Sequence, residues 1–176
     1  MEFTLNGKGY EVLRFLGKGK GGYSYLVTDC VGRFTLKKIH HEPCDYYTFG
    51  DKLGSELRDY GRLKAVGIPM PELLEVDREQ GMILKEFIDG PTIYELVLKD
   101  EMVPDYYRQV REMCERLYPA GLNIDYFPTN FIVEDGKLIY IDYECNEYME
   151  RWDFDHWGND YWWRSLVFLE YVRNHK

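Results

Sequence analysis

The 176-residue sequence predicts an α+β fold, and three observations carry that expectation. Short β-prone runs separated by glycines and turns occupy the chain ahead of residue 88, with a single helical pattern among them. A longer helical pattern, Pro104–Ala120, follows, with Val110, Met113, Cys114 and Leu117 on one face. Two apolar runs, Asn130–Glu134 and Lys137–Asp142, then meet at Asp135-Gly136, a dipeptide that favours a tight hairpin turn. The length suits one compact domain or two small lobes sharing a cleft.

In chain order, Tyr10–Leu16 and Tyr23–Thr28 read as strands flanking Gly17-Lys18-Gly19-Lys20-Gly21-Gly22. The loop contains G-x-G-x-x-G as Gly17, Gly19 and Gly22. Rossmann units use the same motif, but they need a helix after it, and Tyr23–Thr28 is a good strand and a poor helix start. By itself the loop also fits a flexible hairpin without a ligand. Gly32–Ile39 is a third strand. Its alternation puts Thr35, Lys37 and Ile39 on one face and Phe34, Leu36 and Lys38 on the other, so one lysine faces inward. An interior ammonium needs a carboxylate or phosphate beside it.

His40–Gly50 is an irregular polar loop with no legible role. Asp51–Ala65 reads as a helix, with Leu53, Leu57, Tyr60 and Leu63 on its apolar face and Gly67 as its stop. Glu56 falls on or beside that face, and if half-buried it has the inward lysine as natural partner. Gly67–Pro71 is a rigid connector, followed by strands Glu72–Val76 and Met82–Ile88 around the turn Asp77–Gly81. Gly90-Pro91 ends the second strand, Thr92–Leu98 is a short helix, and Pro104–Ala120 carries proline at its first position with Gly121 beyond its end. Asn159–Arg173 reads as a last helix. It lies in a tail, 145–176, that holds Trp152, Trp157, Trp162 and Trp163. Such a ring cluster is a packing element, or alternatively an exposed aromatic patch for a partner.

Composition narrows the function classes. Apolar residues make up 45% and charged residues 30%, as in ordinary globular proteins, while 16% aromatics imply a core built largely of rings. No run has transmembrane length and no signal segment opens the chain, so a cytoplasmic protein is expected. Cys30, Cys44, Cys114 and Cys145 form no CxxC pair and read as reduced, mostly buried thiols. The net charge of −9 argues against general nucleic-acid binding. The charge is uneven. Residues 1–40 hold seven Lys/Arg against three acids, a net of +4, which leaves −13 for the remainder. A basic, glycine-rich start on an acidic body suits a local anion such as a nucleotide polyphosphate.

The hairpin supplies the candidate site. Asp125 lies just before its first run, Asn130 opens that run, and Asp142 closes the second. Pairing brings the start of one strand beside the end of the other, so Asn130 and Asp142 approach with Asp125 nearby. Two carboxylates and an amide oxygen suit Mg²⁺, a hard cation that prefers oxygen. The same residues are also common turn formers, and the segment alone fits either reading.

Taken together and in order, these elements resemble the protein-kinase fold, whose signature is a Gly-rich loop, a strand lysine, a helix glutamate, a catalytic-loop Asp…Asn and a metal-binding Asp. Phe34-Thr35-Leu36-Lys37 stands where that family has V-A-I-K, which favours Lys37 over Lys38. Glu56 lies at a spacing suited to the family's lysine–glutamate pair. Asn123-Ile124-Asp125-Tyr126-Phe127-Pro128-Thr129-Asn130 matches H-R-D-x-x-x-x-N in its Asp and Asn, and Asp142-Tyr143-Glu144 takes the place of D-F-G. Lys85–Gly90 resembles the hinge between lobes. The resemblance implies a two-lobed kinase-like domain with residues 1–87 as N-lobe and 88–176 as a reduced helical C-lobe. It implies ATP and Mg²⁺ as ligands. Gly17, Gly19, Gly22, Thr35, Lys37, Glu86, Phe87 and Ile88 would bind the nucleotide. Asn130 and Asp142 would bind the metal, and Lys37, Glu56 and Asp125 would form the catalytic set. A hydroxyl acceptor, on a protein or small molecule, would receive the phosphate.

The chain departs from the full family pattern. Only 34 residues follow Asp142, with no A-P-E, so the resemblance is to a minimal or atypical bacterial-type serine/threonine kinase, similar in size to RIO-type and KEOPS-type small kinases. Asn123 replaces the catalytic-loop histidine, Ile124 the arginine, Phe127 a lysine and Glu144 the glycine of D-F-G. A nucleotide-binding pseudokinase, acting as scaffold or sensor, is the alternative expectation. A fold relic without nucleotide is a second one.

Overall fold

The computed structural model describes residues 1–40 and 51–176. All but the first residue of the loop expected at His40–Gly50, Cys44 included, lies outside them. The described chain is α+β, the expected class, and it divides into two compact units. One comprises Met1–Arg58 with Pro71–Phe87, the other Asp59–Met70 with Ile88–Lys176.

The first unit is a six-stranded antiparallel sheet. Its strands are β1 (Glu2–Leu5), β2 (Lys8–Lys18), β3 (Gly22–Thr28), β4 (Arg33–Ile39), β5 (Leu73–Asp77) and β6 (Met82–Glu86), in the order β1-β2-β3-β4-β6-β5. Period-two alternation sorts the side chains to two faces. Leu36, Met82 and Leu84 face Leu5, Tyr10 and Val27, while Ile39 and Ile83 face Leu53 and Leu57 of helix α1 (Lys52–Ala65). The helix begins one residue later than expected because Asp51 caps it, its carboxylate accepting from Gly54 N–H at 2.8 Å.

Sequence reading missed β1. Asn6 and Gly7 both have positive φ, 49° and 84°, and this turn pairs Glu2–Leu5 with the following strand, which runs from Lys8 to Lys18 instead of Tyr10–Leu16. The strand expected to reach Ile88 stops at Glu86.

The second unit gathers α2 (Ile93–Leu98), α3 (Pro104–Leu117), strands β7 (Leu122–Ile124), β8 (Phe131–Glu134), β9 (Lys137–Tyr140) and β10 (Cys145–Glu147), and helix α4 (Leu166–Asn174). Its core joins Ile93 and Val97 of α2, Val110 and Leu117 of α3, Phe131 and Leu138 of the hairpin, and Phe154, Trp162 and Phe168 of the tail. The hairpin β8–β9 turns at Asp135 and Gly136, with φ 50° and 79°, as the dipeptide predicted. Helix α3 braces it through Gln109, whose amide donates to Gly136 O and accepts from Leu138 N–H, both at 2.8 Å. Thr92 and Glu95 form a reciprocal capping box, so α2 starts at Ile93.

The tail corrects the single helix expected over Asn159–Arg173. A 3-10 turn, Gly158–Tyr161, precedes a break, and α4 starts only after Ser165, whose hydroxyl accepts from Phe168 N–H at 3.0 Å. The break lets Trp162 turn inward and donate its indole N–H to Tyr126 O at 2.7 Å. Trp162 is fully buried, whereas Trp152 and Trp163 are about half exposed, at 46% and 51%, so the tryptophans do not form one cluster. Of the three described cysteines, all free thiols, Cys114 and Cys145 are buried and Cys30 is exposed in a turn, in line with the expectation of mostly buried thiols. Among the described residues, no helix is long and apolar enough to cross a membrane.

Candidate active site

In the first unit the site builds from β4. Lys37 sits between Ser24 of β3 and Ile83 of β6. Its Nζ lies 2.6 Å from Glu56 Oε1 of α1, and the two side chains are only 13% and 10% exposed. Lys38, on the opposite face, donates instead to the Gln80 carbonyl. The pairing with Glu56 thus identifies Lys37 as the inward lysine. The largely shielded ammonium has its carboxylate, as the desolvation cost of an isolated charge requires.

The glycine loop turns beside this pair. Gly19 N–H donates to Gly22 O at 2.9 Å, closing the tip. A Cβ at Gly21 would stand 3.7 Å from Lys37 Nζ, so the tip reaches the ammonium. A Cβ at Gly22 would fall 2.4 Å from Lys38 O, so packing alone demands glycine there. At Gly17 a Cβ would meet nothing within 4 Å, and at Gly19 only Gly22 O at 3.9 Å. Their bare backbone is not a packing requirement.

Two further groups, which sequence reading did not single out, hold the loop. His40 Nε2 lies 3.0 Å from Gly19 O. Lys52, buried at 4% exposure, donates to His40 O at 2.7 Å and to Lys20 O at 3.3 Å. The only sequence hint of this role was a lysine in the first turn of a helix.

The remaining nucleotide-binding candidates are spread along the sheet and its exit. Thr35 is buried and stands in register with Lys85 of β6, itself 5% exposed. Glu86 is exposed, and its N–H is committed to Glu72 O at 2.9 Å. Phe87 is half-buried with the Arg33 guanidinium 5.3 Å from its ring centre, and Ile88 is buried in the second unit.

In the second unit, β7 delivers Asp125, the 3-10 turn Pro128–Asn130 delivers Asn130, and Asp142 follows β9 by two residues. The three come together through the backbone. Asn130 Nδ2 donates to Asp125 O at 3.3 Å, and Ile141 N–H donates to Asn130 O at 2.9 Å. Asp125 Oδ1 accepts from Phe127 N–H at 3.1 Å, which orients the carboxylate. β7 pairs with β10, so the segments on either side of the hairpin are themselves tied.

Several supporting residues were not legible as such. Tyr140 is fully buried; its hydroxyl accepts from Asp125 N–H at 3.3 Å and donates to Glu144 O at 2.8 Å. Burial, followed by the nearby Asp142 carboxylate, pushes its ionisation far above that of an ordinary phenol, so it stays protonated. Tyr143 is buried against Tyr60 of α1, ring centres 4.5 Å apart. Asn123 donates to Met149 O at 2.9 Å. The tail contributes through Trp162, which holds the carbonyl of Tyr126, the residue after Asp125. Phe127 packs into a ring cluster with Tyr171 at 4.8 Å and Tyr161 at 5.3 Å.

The donor chemistry fits Mg²⁺. Asn130 spends its amide nitrogen on Asp125 O, which leaves the amide oxygen as the atom it would offer a cation, and Asp142 would add a carboxylate. Among the described residues no three His, Cys, Asp or Glu converge into a metal cage. Mg²⁺ asks for less, one or two carboxylates completed by water and substrate phosphates.

No family model matches the chain. Over 96 residues, 53% of its length, it is 31% identical to KEOPS complex subunit Bud32 of Pyrococcus abyssi, and the match covers 44% of that protein. Over 86 residues, 48% of its length, it is 24% identical to a probable bifunctional tRNA threonylcarbamoyladenosine biosynthesis protein of Methanosphaera stadtmanae, covering 16% of it. The chain therefore spans less than half the length of the curated relatives it matches. These distant homologies, with an α+β fold built on an antiparallel sheet, are compatible with a small kinase-like domain of the Bud32 type.

Proposed function

We propose that this protein is a small kinase-like phosphotransferase of the serine/threonine type, which passes the γ-phosphate of Mg·ATP to a hydroxyl acceptor. The observation that carries the reading is the half-buried Lys37–Glu56 pair, 2.6 Å apart, with the glycine-loop tip at the lysine ammonium. Distant homology to Bud32 supports the same reading. Residues 1–87 and 88–176 would act as its N-lobe and C-lobe.

In this proposal Gly17, Gly19 and Gly22 let backbone N–H groups approach the phosphates, and Lys37, aimed by Glu56, holds them. Thr35 and the stretch Glu86, Phe87 and Ile88 would border the base. Asn130 and Asp142 would hold Mg²⁺, which neutralises charge on the phosphate oxygens when bound. Asp125 would orient the acceptor hydroxyl and take up its proton. Phosphoryl transfer rests on positioning and charge stabilisation, and these side chains supply both. The relative's description as a complex subunit makes a protein partner part of the proposal, and a cytoplasmic setting accompanies it.

A second reading, a nucleotide-binding scaffold, is favoured by Phe127, a ring packed among Tyr161 and Tyr171 where kinases place a cation. Thermal shift with Mg·ATP tests binding. A raised melting temperature supports either form, and no shift would sink both. Phosphoryl transfer that depends on Asp125 then separates enzyme from scaffold.

A further inference from the structure

We propose that Tyr140 is a positioning residue that locks the acceptor-side loop to the metal-side loop through one hydroxyl. This rests on the kinase reading above and adds to it a residue that no motif points to. The hydroxyl has one acceptor site and one donor site in use. It takes the N–H of Asp125 at 3.3 Å and gives its proton to the carbonyl of Glu144 at 2.8 Å. Asp125 belongs to the segment leaving β7, and Glu144 to the segment that carries Asp142 into β10.

The phenol is well suited to this task. It is fully buried, its ring packs on Phe131 with centres 5.2 Å apart, and its backbone N–H is fixed to Pro69 O at 2.9 Å. Side chain and main chain are therefore both immobilised, so the oxygen is a fixed point between the two loops.

Neutralising Asp142 with a cation changes the charge on one side of the bridge. Without the bridge, the Asp142 segment could shift relative to Asp125, and metal binding would have to order it. Loss of the hydroxyl should then appear chiefly in the Mg²⁺ requirement and in turnover, with the metal-free nucleotide contacts spared.

The test is Tyr140→Phe, which keeps the ring. The control is Tyr118→Phe, which removes a similar two-ended bridge from Phe154 N–H (3.0 Å) to Asp155 (3.2 Å). The Mg²⁺ concentration giving half of the ATP-dependent rise in melting temperature is read for each. Tyr140→Phe should raise it about tenfold and lower kcat more than it changes the KM for ATP, while Tyr118→Phe should lose melting temperature without moving either. An unchanged Mg²⁺ midpoint in Tyr140→Phe, or an equal change in both variants, overturns the role. If Tyr140→Phe does not fold, a site-specific fluorinated tyrosine at the same position weakens the acceptor while retaining the hydroxyl, and the same midpoint decides. Absence of any wild-type shift with Mg·ATP would overturn the kinase reading itself, a failure distinguishable from that of Tyr140.

Discussion

Lys37→Met is the sharpest perturbation of the first unit. The ammonium and the Glu56 carboxylate stand 2.6 Å apart. At an effective dielectric of about 20, their gross attraction is about 6 kcal/mol, most of it offset by desolvation. Removing only the lysine leaves a carboxylate that is 10% exposed without its cation. Cutting one partner of a buried pair costs about 3 kcal/mol. For a chain of this size that is a fall in melting temperature of about 6–12 °C. Lys38→Met loses only an exposed contact to Gln80 O and should cost under about 0.5 kcal/mol. The double variant Lys37→Met/Glu56→Leu removes both charges and should regain most of the lost stability, because an apolar pair replaces a buried ion pair at little cost. It should nonetheless show no stabilisation by Mg·ATP. The assay is thermal melting with and without Mg·ATP. Equal losses in the two single lysine variants, or a nucleotide shift surviving in the double variant, would refute the reasoning.

The glycines separate packing from function. Gly22→Ala drives a Cβ to within 2.4 Å of Lys38 O and should destabilise by about 1–3 kcal/mol, whereas Gly17→Ala should melt within about 1 °C of wild type yet show a smaller nucleotide shift. The tail should carry a pH dependence. His156 is raised by its hydrogen bond to Asp153, and Asp153, despite burial, is held low by Tyr148 and by His156 itself. The raised imidazole stabilises fully below its unfolded pKa of about 6.5, and that contribution is lost as pH rises through the folded value. The lowered carboxyl contributes above its unfolded value and loses its contribution as pH falls through the folded one. The gap in urea midpoint between wild type and His156→Gln should therefore be widest below about pH 6.5 and narrow as pH rises through the raised folded value, and a gap independent of pH would remove His156 from this role.

How much was legible follows from the kind of signal each element emits. Asp135-Gly136 announces its own turn, and strand alternation separates Lys37 from Lys38, because both depend on local backbone geometry. β1 escaped because its polar/apolar alternation, Glu2-Phe3-Thr4-Leu5, lasts only four residues, and the Asn6-Gly7 turn is the stronger signal. The break between Gly158–Tyr161 and α4 was hidden because two adjacent tryptophans look alike in sequence, while one enters the core and the other faces water. Within the candidate site, the acidic and amide side chains could be read from spacing. Tyr140 and Lys52 could not, since their roles lie in which carbonyls and N–H groups their tips reach, and that is fixed by tertiary packing.

The central claim, that this is an enzyme acting on Mg·ATP, is tested most directly by comparing Asp125→Asn with Asp142→Asn in one assay pair. Binding is followed by titration with Mg·ATP, and transfer by autophosphorylation or slow ATP hydrolysis. Asp142→Asn should weaken Mg·ATP binding, because it removes a charge facing the cation. Asp125→Asn should bind nearly as wild type does and lose about 10²–10⁴ in transfer rate, the range of a positioned general base. If wild type shows no transfer that Asp125→Asn reduces, while both bind Mg·ATP equally, the claim of catalysis is contradicted and the protein is a nucleotide-binding scaffold.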